Sequence, residues 1–116
     1  MKATRRGVLA GALAVPAVAA APTAAWARGG KPVLVHDPAL AAGRRFAAMH
    51  DGEVLPIAGD RIRFARALFA RRPWLVVGVT RSADALLIEE VARESGYVPV
   101  PAPVSLGASG WALAPR

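Results

Sequence analysis

Four short apolar runs in this chain have the composition of β-strands, and proline falls in two of them but not in the other two. That distribution constrains the fold more than any other feature. A proline has no N–H to give to a ladder, so a strand that contains one is confined to a sheet edge. Val33-Leu34-Val35 and the run WLVVGV at 74–79 are unbroken and rich in branched residues, the pattern of strands buried on both faces. The run EVLPI at 53–57 holds Pro56, which makes it an edge. The run YVPVPAPV at 97–104 holds Pro99, Pro101 and Pro103 at one parity. If it is extended, the three missing donors fall along one side while Val98, Val100, Ala102 and Val104 share a face. A polyproline-type tail fits the same letters equally well.

Helical patterns separate these runs. Asp37-Pro38 is a cap and first-turn pair, followed by Ala39, Ala42, Gly43, Phe46 and Met49 at helical spacing, and Asp51-Gly52 closes the element. Asp60 caps a second helix with Ile62, Phe64, Ala65, Leu68 and Phe69 on its apolar face. Arg71-Arg72 stand in its last turn and Pro73 stops it. Thr80 or Ser82 caps a third helix that runs to about residue 95, with Leu87, Ile88, Val91 and Ala92 inward and Gly96 as its stop. Strand and helix in alternation predict an α/β domain. Its expected form is a small three-layer, mostly parallel sheet of order 2-1-3-4, Rossmann- or flavodoxin-like, with right-handed crossovers. The expected domain spans residues 33–104, and residues 105–116 are a C-terminal tail or a short extra strand at Trp111 to Ala114 after the turn GASG.

The N-terminus follows a different logic. Lys2, Arg5 and Arg6 precede an apolar run of small residues interrupted by Pro16, and Ala25-Trp26-Ala27 is a small-x-small cleavage site of the kind a signal peptidase reads. Thr4-Arg5-Arg6-Gly7-Val8-Leu9 resembles the twin-arginine translocation signal, with Val8 where phenylalanine is commonest and Ala10 where lysine is common. Residues 1–27 are therefore read as a twin-arginine signal peptide and residues 28–32 as a linker. The resemblance implies export to the periplasm by the twin-arginine translocase, a route that carries folded cargo. The run is too short and too rich in alanine to be a permanent membrane span.

What remains must fold with little help. The chain has no cysteine, so no disulfide can staple a small domain, and packing, a ligand or a partner must hold it. The formal net charge is +7, of which Lys2, Arg5 and Arg6 carry three, leaving a mildly basic domain in which arginine dominates. The arginines at 61, 63, 66, 71 and 72 interleave with Phe64 and Phe69, but those rings belong to the core face and are not free to stack on bases. Nucleic acid is therefore not an expected partner. Trp111 is the better surface aromatic, or else a lid over the fourth strand.

In a doubly wound sheet a ligand sits beyond the carboxyl ends of the strands. There the sequence sets His36 and Asp37 after strand one, Asp60 after strand two, and Thr80, Arg81, Ser82 and Asp84 after strand three. These are the expected ligand-binding residues. Asp84 is distinctive because helical geometry turns it to the side of Leu87, Ile88 and Val91; as a first-turn acid it also stabilises a helix dipole wherever it points. No GxGxxG or P-loop is present to cradle phosphates, and the three carboxylates oppose an anion. His36 and His50, the only histidines, lie at opposite ends of the first helix, so no metal site is expected. Ser82, His36 and Asp37 or Asp84 could be assembled as a hydrolytic set, but no GxSxG elbow accompanies Ser82.

Asp37, Gly59-Asp60, Gly78, Thr80 and the stretch ALLIEEVARESG at 85–96 resemble small uncharacterised twin-arginine-signal proteins of proteobacteria, over about residues 33–97. The resemblance implies export and no particular activity or cofactor. The expected function is that of an exported periplasmic binding or accessory domain without catalysis of its own, a partner for instance of a periplasmic redox enzyme. The alternative is a small hydrolase-like enzyme using the polar rim.

Overall fold

The computed structural model describes residues 30–116. The leader read at residues 1–27, with Arg5, Arg6, Ala25 and Ala27, lies outside the described residues, as does Arg28 of the linker. From Gly30 onward the chain is an α/β domain with a five-stranded mixed sheet and three α-helices: β1 (Val33–His36), α1 (Ala41–Met49), β2 (Val54–Pro56), α2 (Arg61–Ala70), β3 (Val76–Val79), α3 (Ser82–Glu94), β4 (Tyr97–Pro99), a 3₁₀ turn (Val104–Leu106) and β5 (Gly110–Pro115). No described helix is long and apolar enough to cross a membrane.

The strands lie in the order β2-β1-β3-β5-β4. β1 pairs parallel with β2 and with β3, while β5 runs antiparallel to both β3 and β4. This corrects the expected mostly parallel 2-1-3-4 sheet, because the C-terminal segment enters between strands three and four. The proline argument explains the error. A missing donor says that a strand has one partner, not which partner. Val100 donates its N–H to Ala112 at 3.0 Å, so Pro99 and Pro101, at the other parity, turn their donorless nitrogens outward. On the opposite edge Ile57 donates to His36 at 2.8 Å, which leaves Pro56 facing out in the same way. β5 has donors from Gly110 to Ala114 and can pair on both sides.

YVPVPAPV is neither one long strand nor a free tail. It pairs through Pro99, extends one more hydrogen bond to Val100, then leaves the sheet and turns at Val104–Leu106. Val104 is almost fully exposed, so the expected common face of Val98 through Val104 does not exist.

Strand alternation divides the core into two layers. Val33, Val35, Val76 and Leu113 pack with Phe69 and Leu68 of α2 and with Ile88 and Val91 of α3. Leu34, Val77, Val79 and Ala112 face the other way, against Phe46 and Ala47 of α1 and Leu106 of the 3₁₀ turn. Four residues expected inward are exposed: Ala39, Met49, Ile62 and Leu87. Ala39 precedes the helix it was assigned to, Met49 is the last residue of α1, and Ile62 stands in the first turn of α2.

The caps show where local chemistry prevailed. Asp60 caps α2 as expected, accepting from Ile62 and Arg63 at 2.9 and 3.0 Å. Asp37 does not cap α1, because its carboxylate accepts from Ala39 in a local turn and the helix begins only at Ala41, after Leu40. Neither Thr80 nor Ser82 caps α3. The cap position is Arg81, Thr80 is engaged elsewhere, and Ser82 is the first helical residue.

Below the sheet, Tyr97 ties the ends of α2, α3 and β4 together. Its ring meets Phe69 at 4.7 Å between centroids, the Arg72 guanidinium lies 5.0 Å over it, and its hydroxyl donates to the Pro73 carbonyl. Arg72 holds this place in a left-handed conformation, φ 55°, just past the end of α2. Glycine is the usual residue there; the arginine is retained by the ring beneath it and by its hydrogen bond to the Ser95 carbonyl. Burial pushes the Tyr97 hydroxyl above its ordinary range, against the opposing pull of Arg72. Tyr97→Phe leaves the Pro73 carbonyl without this donor, and urea denaturation is expected to show a loss of about 0.5 to 1.5 kcal/mol with an unchanged m-value.

Candidate functional site

The rim at the carboxyl ends of β1, β2 and β3 holds every residue expected there, but the structure joins them into pairs and not into one cluster. Asp37 is buried at the end of β1. It accepts from Ala39 through one carboxylate oxygen and lies 3.7 Å from Arg81 through the other. Asp84, turned inward as helical geometry requires, meets Arg61 at 3.2 Å, and Arg61 also donates to the Gly59 carbonyl. Asp60 is taken up by its own helix. Two arginines from loops and helix starts thus neutralise the two carboxylates nearest the crevice. Arg61 was not among the expected site residues, and only its position beside the Asp60 cap could have marked it.

His36 is buried, and no described residue offers a hydrogen bond to its Nδ1. Its parity places it with Leu34, on the α1 side of the sheet, and its Cβ lies beside Gly43 of the first turn of α1. A Cβ on Gly43 would meet the Asp37 carbonyl at 2.8 Å, so this glycine permits the helix to approach the strand end. Ser82 is exposed, and among the described residues its hydroxyl makes no hydrogen bond to His36. The hydrolytic set that the sequence could assemble is therefore not assembled: Asp84 is held by Arg61, and no nucleophile-base contact is formed.

A concave surface among the described residues lies one strand further along. Two adjoining hollows of about 240 and 290 Å³ share Ala85, Glu89, Gly110 and Trp111, forming one groove between α3 and β5. Thr80 and Ser82 border it, while His36, Asp37, Asp60, Arg81 and Asp84 do not line it. Val100 and Ala102 close its outer end, where the chain leaves the sheet.

Trp111 is the fixed wall of this groove. It is paired with Gly78 across the antiparallel ladder, and a Cβ on Gly78 would fall 2.1 Å from its Cζ2. The six-membered ring therefore lies directly on the glycine of β3. Its indole N–H donates to the Thr80 hydroxyl at 2.9 Å, and that hydroxyl donates to the Arg81 carbonyl at 3.1 Å. The lid expected over strand four is thus a lid over strand three. Sequence reasoning reached Trp111 and Thr80 but missed Glu89, Leu86 and Ser109, since the groove exists only because β5 enters beside β3. The available signal was a glycine in the most apolar run and a tryptophan after a glycine-rich turn.

Comparison with protein-family models, with curated proteins and with solved structures returns no match. Among the described residues no group of three or more His, Asp or Glu side chains is placed to hold a metal ion.

Two measurements check this geometry. Gly78→Ala puts a methyl where the indole lies, and thermal or urea unfolding is expected to show a loss of about 1 to 3 kcal/mol with a displaced Trp111 indole N–H resonance. The acid limb of stability is set by carboxylates held below their usual range. The N–H groups of Arg63 and Ile62 lower Asp60, Arg71 lowers Glu53, and Lys31 lowers Asp51. Their contribution is complete above the unfolded carboxylate range and is lost as pH falls through the lower folded values, so the Tm should hold near neutrality and fall below about pH 4. Asp60→Asn keeps a cap acceptor but no titrating group, so a pH series of melts should show a shallower acid limb with little change at neutrality.

Proposed function

We propose that the chain is an exported periplasmic domain, carried by the twin-arginine translocase, that binds a ligand or a partner protein and serves as an accessory to a larger assembly such as a periplasmic redox enzyme. The observation that carries the binding part is the contrast between rim and groove. The rim carboxylates are engaged by arginines, backbone N–H groups and caps, which are structural duties. The groove beside Trp111 is preformed, walled by a pinned aromatic ring and open to solvent. A preformed, largely apolar hollow with a few polar groups is the usual form of a binding site. Export rests on the sequence at Thr4-Arg5-Arg6, the apolar run after it and the small-x-small site Ala25-Trp26-Ala27.

The alternative, a small hydrolase-like enzyme, is favoured by one feature, the buried Nδ1 of His36 without a hydrogen-bond partner. Such a nitrogen costs free energy unless something uses it.

The export reading is tested with the double variant Arg5→Lys, Arg6→Lys. Loss of the protein from the periplasm supports the twin-arginine route, and normal export of the variant overturns it. Native mass spectrometry of the wild-type protein taken from periplasm tests the binding reading, which expects added mass from a subunit or small molecule. A bare monomer, together with a hydrolytic turnover lost in His36→Ala, would transfer the case to the enzyme.

A further inference from the structure

The lining of the groove departs from the character of the chain around it. The domain is rich in arginine, yet neither Lys nor Arg lines either hollow, and Glu89 is the one ionisable residue that does. Glu89 is anchored from α3 by Arg93, whose Nη2 donates to Oε2 at 2.6 Å, while the other nitrogen of the same fork donates to Glu90 at 2.8 Å. One guanidinium thus serves two carboxylates and leaves an excess negative charge. Oε1 of Glu89 makes no hydrogen bond among the described residues.

Trp111 lines both hollows together with Glu89. One side of the ring lies on Gly78 and the N–H edge is taken by Thr80, so a ligand that packs on this ring meets the negative quadrupole of the face turned away from Gly78. An aromatic face and a carboxylate lining one small hollow both repel an anion and both attract a cation. Leu86, Val100 and Ala102 supply apolar surface for the remainder of such a ligand.

From this charge complementarity we infer that the Trp111 groove is a site for a small organic ammonium ion carried on an apolar body. The inference rests on the binding function proposed above and names the chemistry of its ligand. The ammonium packs on the indole face and faces Oε1 of Glu89, and its alkyl groups lie against Leu86 and Val100.

Choline and its neutral isostere 3,3-dimethylbutan-1-ol are the probes, titrated into the full chain while the Trp111 indole N–H is followed by NMR, with Trp111→Phe assigning the resonance. Choline is expected to shift it saturably, and the neutral isostere to bind roughly tenfold more weakly, the factor that loss of a cation-π contact and a facing carboxylate represents. Glu89→Gln, at a partly buried helix position, keeps an acceptor for Arg93 and is expected to keep the Tm and to weaken choline severalfold without affecting the isostere. Equal binding of the two probes overturns the inference, because the groove would then select only apolar shape. An indole resonance that neither probe moves also overturns it. If that occurs while periplasmic isolation still yields a bound partner, the cation inference fails and the binding function stands. A bare monomer that nonetheless binds choline more tightly than the isostere supports the cation inference and ligand binding with it, and overturns only the partner-protein form of the proposed function.

Discussion

One aromatic ring lying on one glycine organises the second half of this molecule. Trp111 covers Gly78, and its indole N–H reaches the Thr80 hydroxyl just past the end of β3. The contact joins a residue of β5 to the middle and the end of β3, which fixes both the pairing of the two strands and their register. Any side chain larger than hydrogen at position 78 would displace the ring. A shift of one residue in β5 would turn the indole to the α1 side and leave nothing over the glycine. β4 pairs only with β5, so its place depends on the same contact.

The sequence was most readable where a residue removes possibilities. Pro56 and Pro99 lack donors, so their strands could only be edges, and both are. Val33 to Val35 and Val76 to Val79 have no such defect and lie inside. Asp60 has the cap position of α2 without competition and occupies it. Legibility failed where two local solutions were of similar strength. Asp37 can cap a helix or close a turn with Ala39, and the turn wins. Thr80 can cap α3 or accept from Trp111, and that choice depends on a strand thirty residues later. The position of β5 is the largest miss, because a short alternating segment rich in alanine carries no local sign that distinguishes an inserted strand from a tail.

The site was legible to the same degree. Sequence position alone identified which polar residues gather at the strand ends, since strand ends follow from the apolar runs. It could not show how they would divide among themselves. Arg61 and Arg81 reach Asp84 and Asp37 from different elements, and those pairings convert a rim that looks acidic into one that is locally balanced. Both ion pairs include a partly exposed arginine, so solvent screens them and they contribute orientation more than stability. The negative character that survives is at Glu89, on a part of α3 that helical periodicity marks simply as a wet face.

The insertion of β5 between β3 and β4 also bears on how the chain is made. β5 is synthesised after the other four strands, yet it occupies an interior position. Until it emerges from the ribosome, β3 has an open flank and β4 has no strand to pair with, so the nascent chain carries a three-stranded parallel fragment and an unpaired fourth segment. Closure of the sheet therefore follows the synthesis of every other strand. Whatever acts on the finished domain must wait for its last strand.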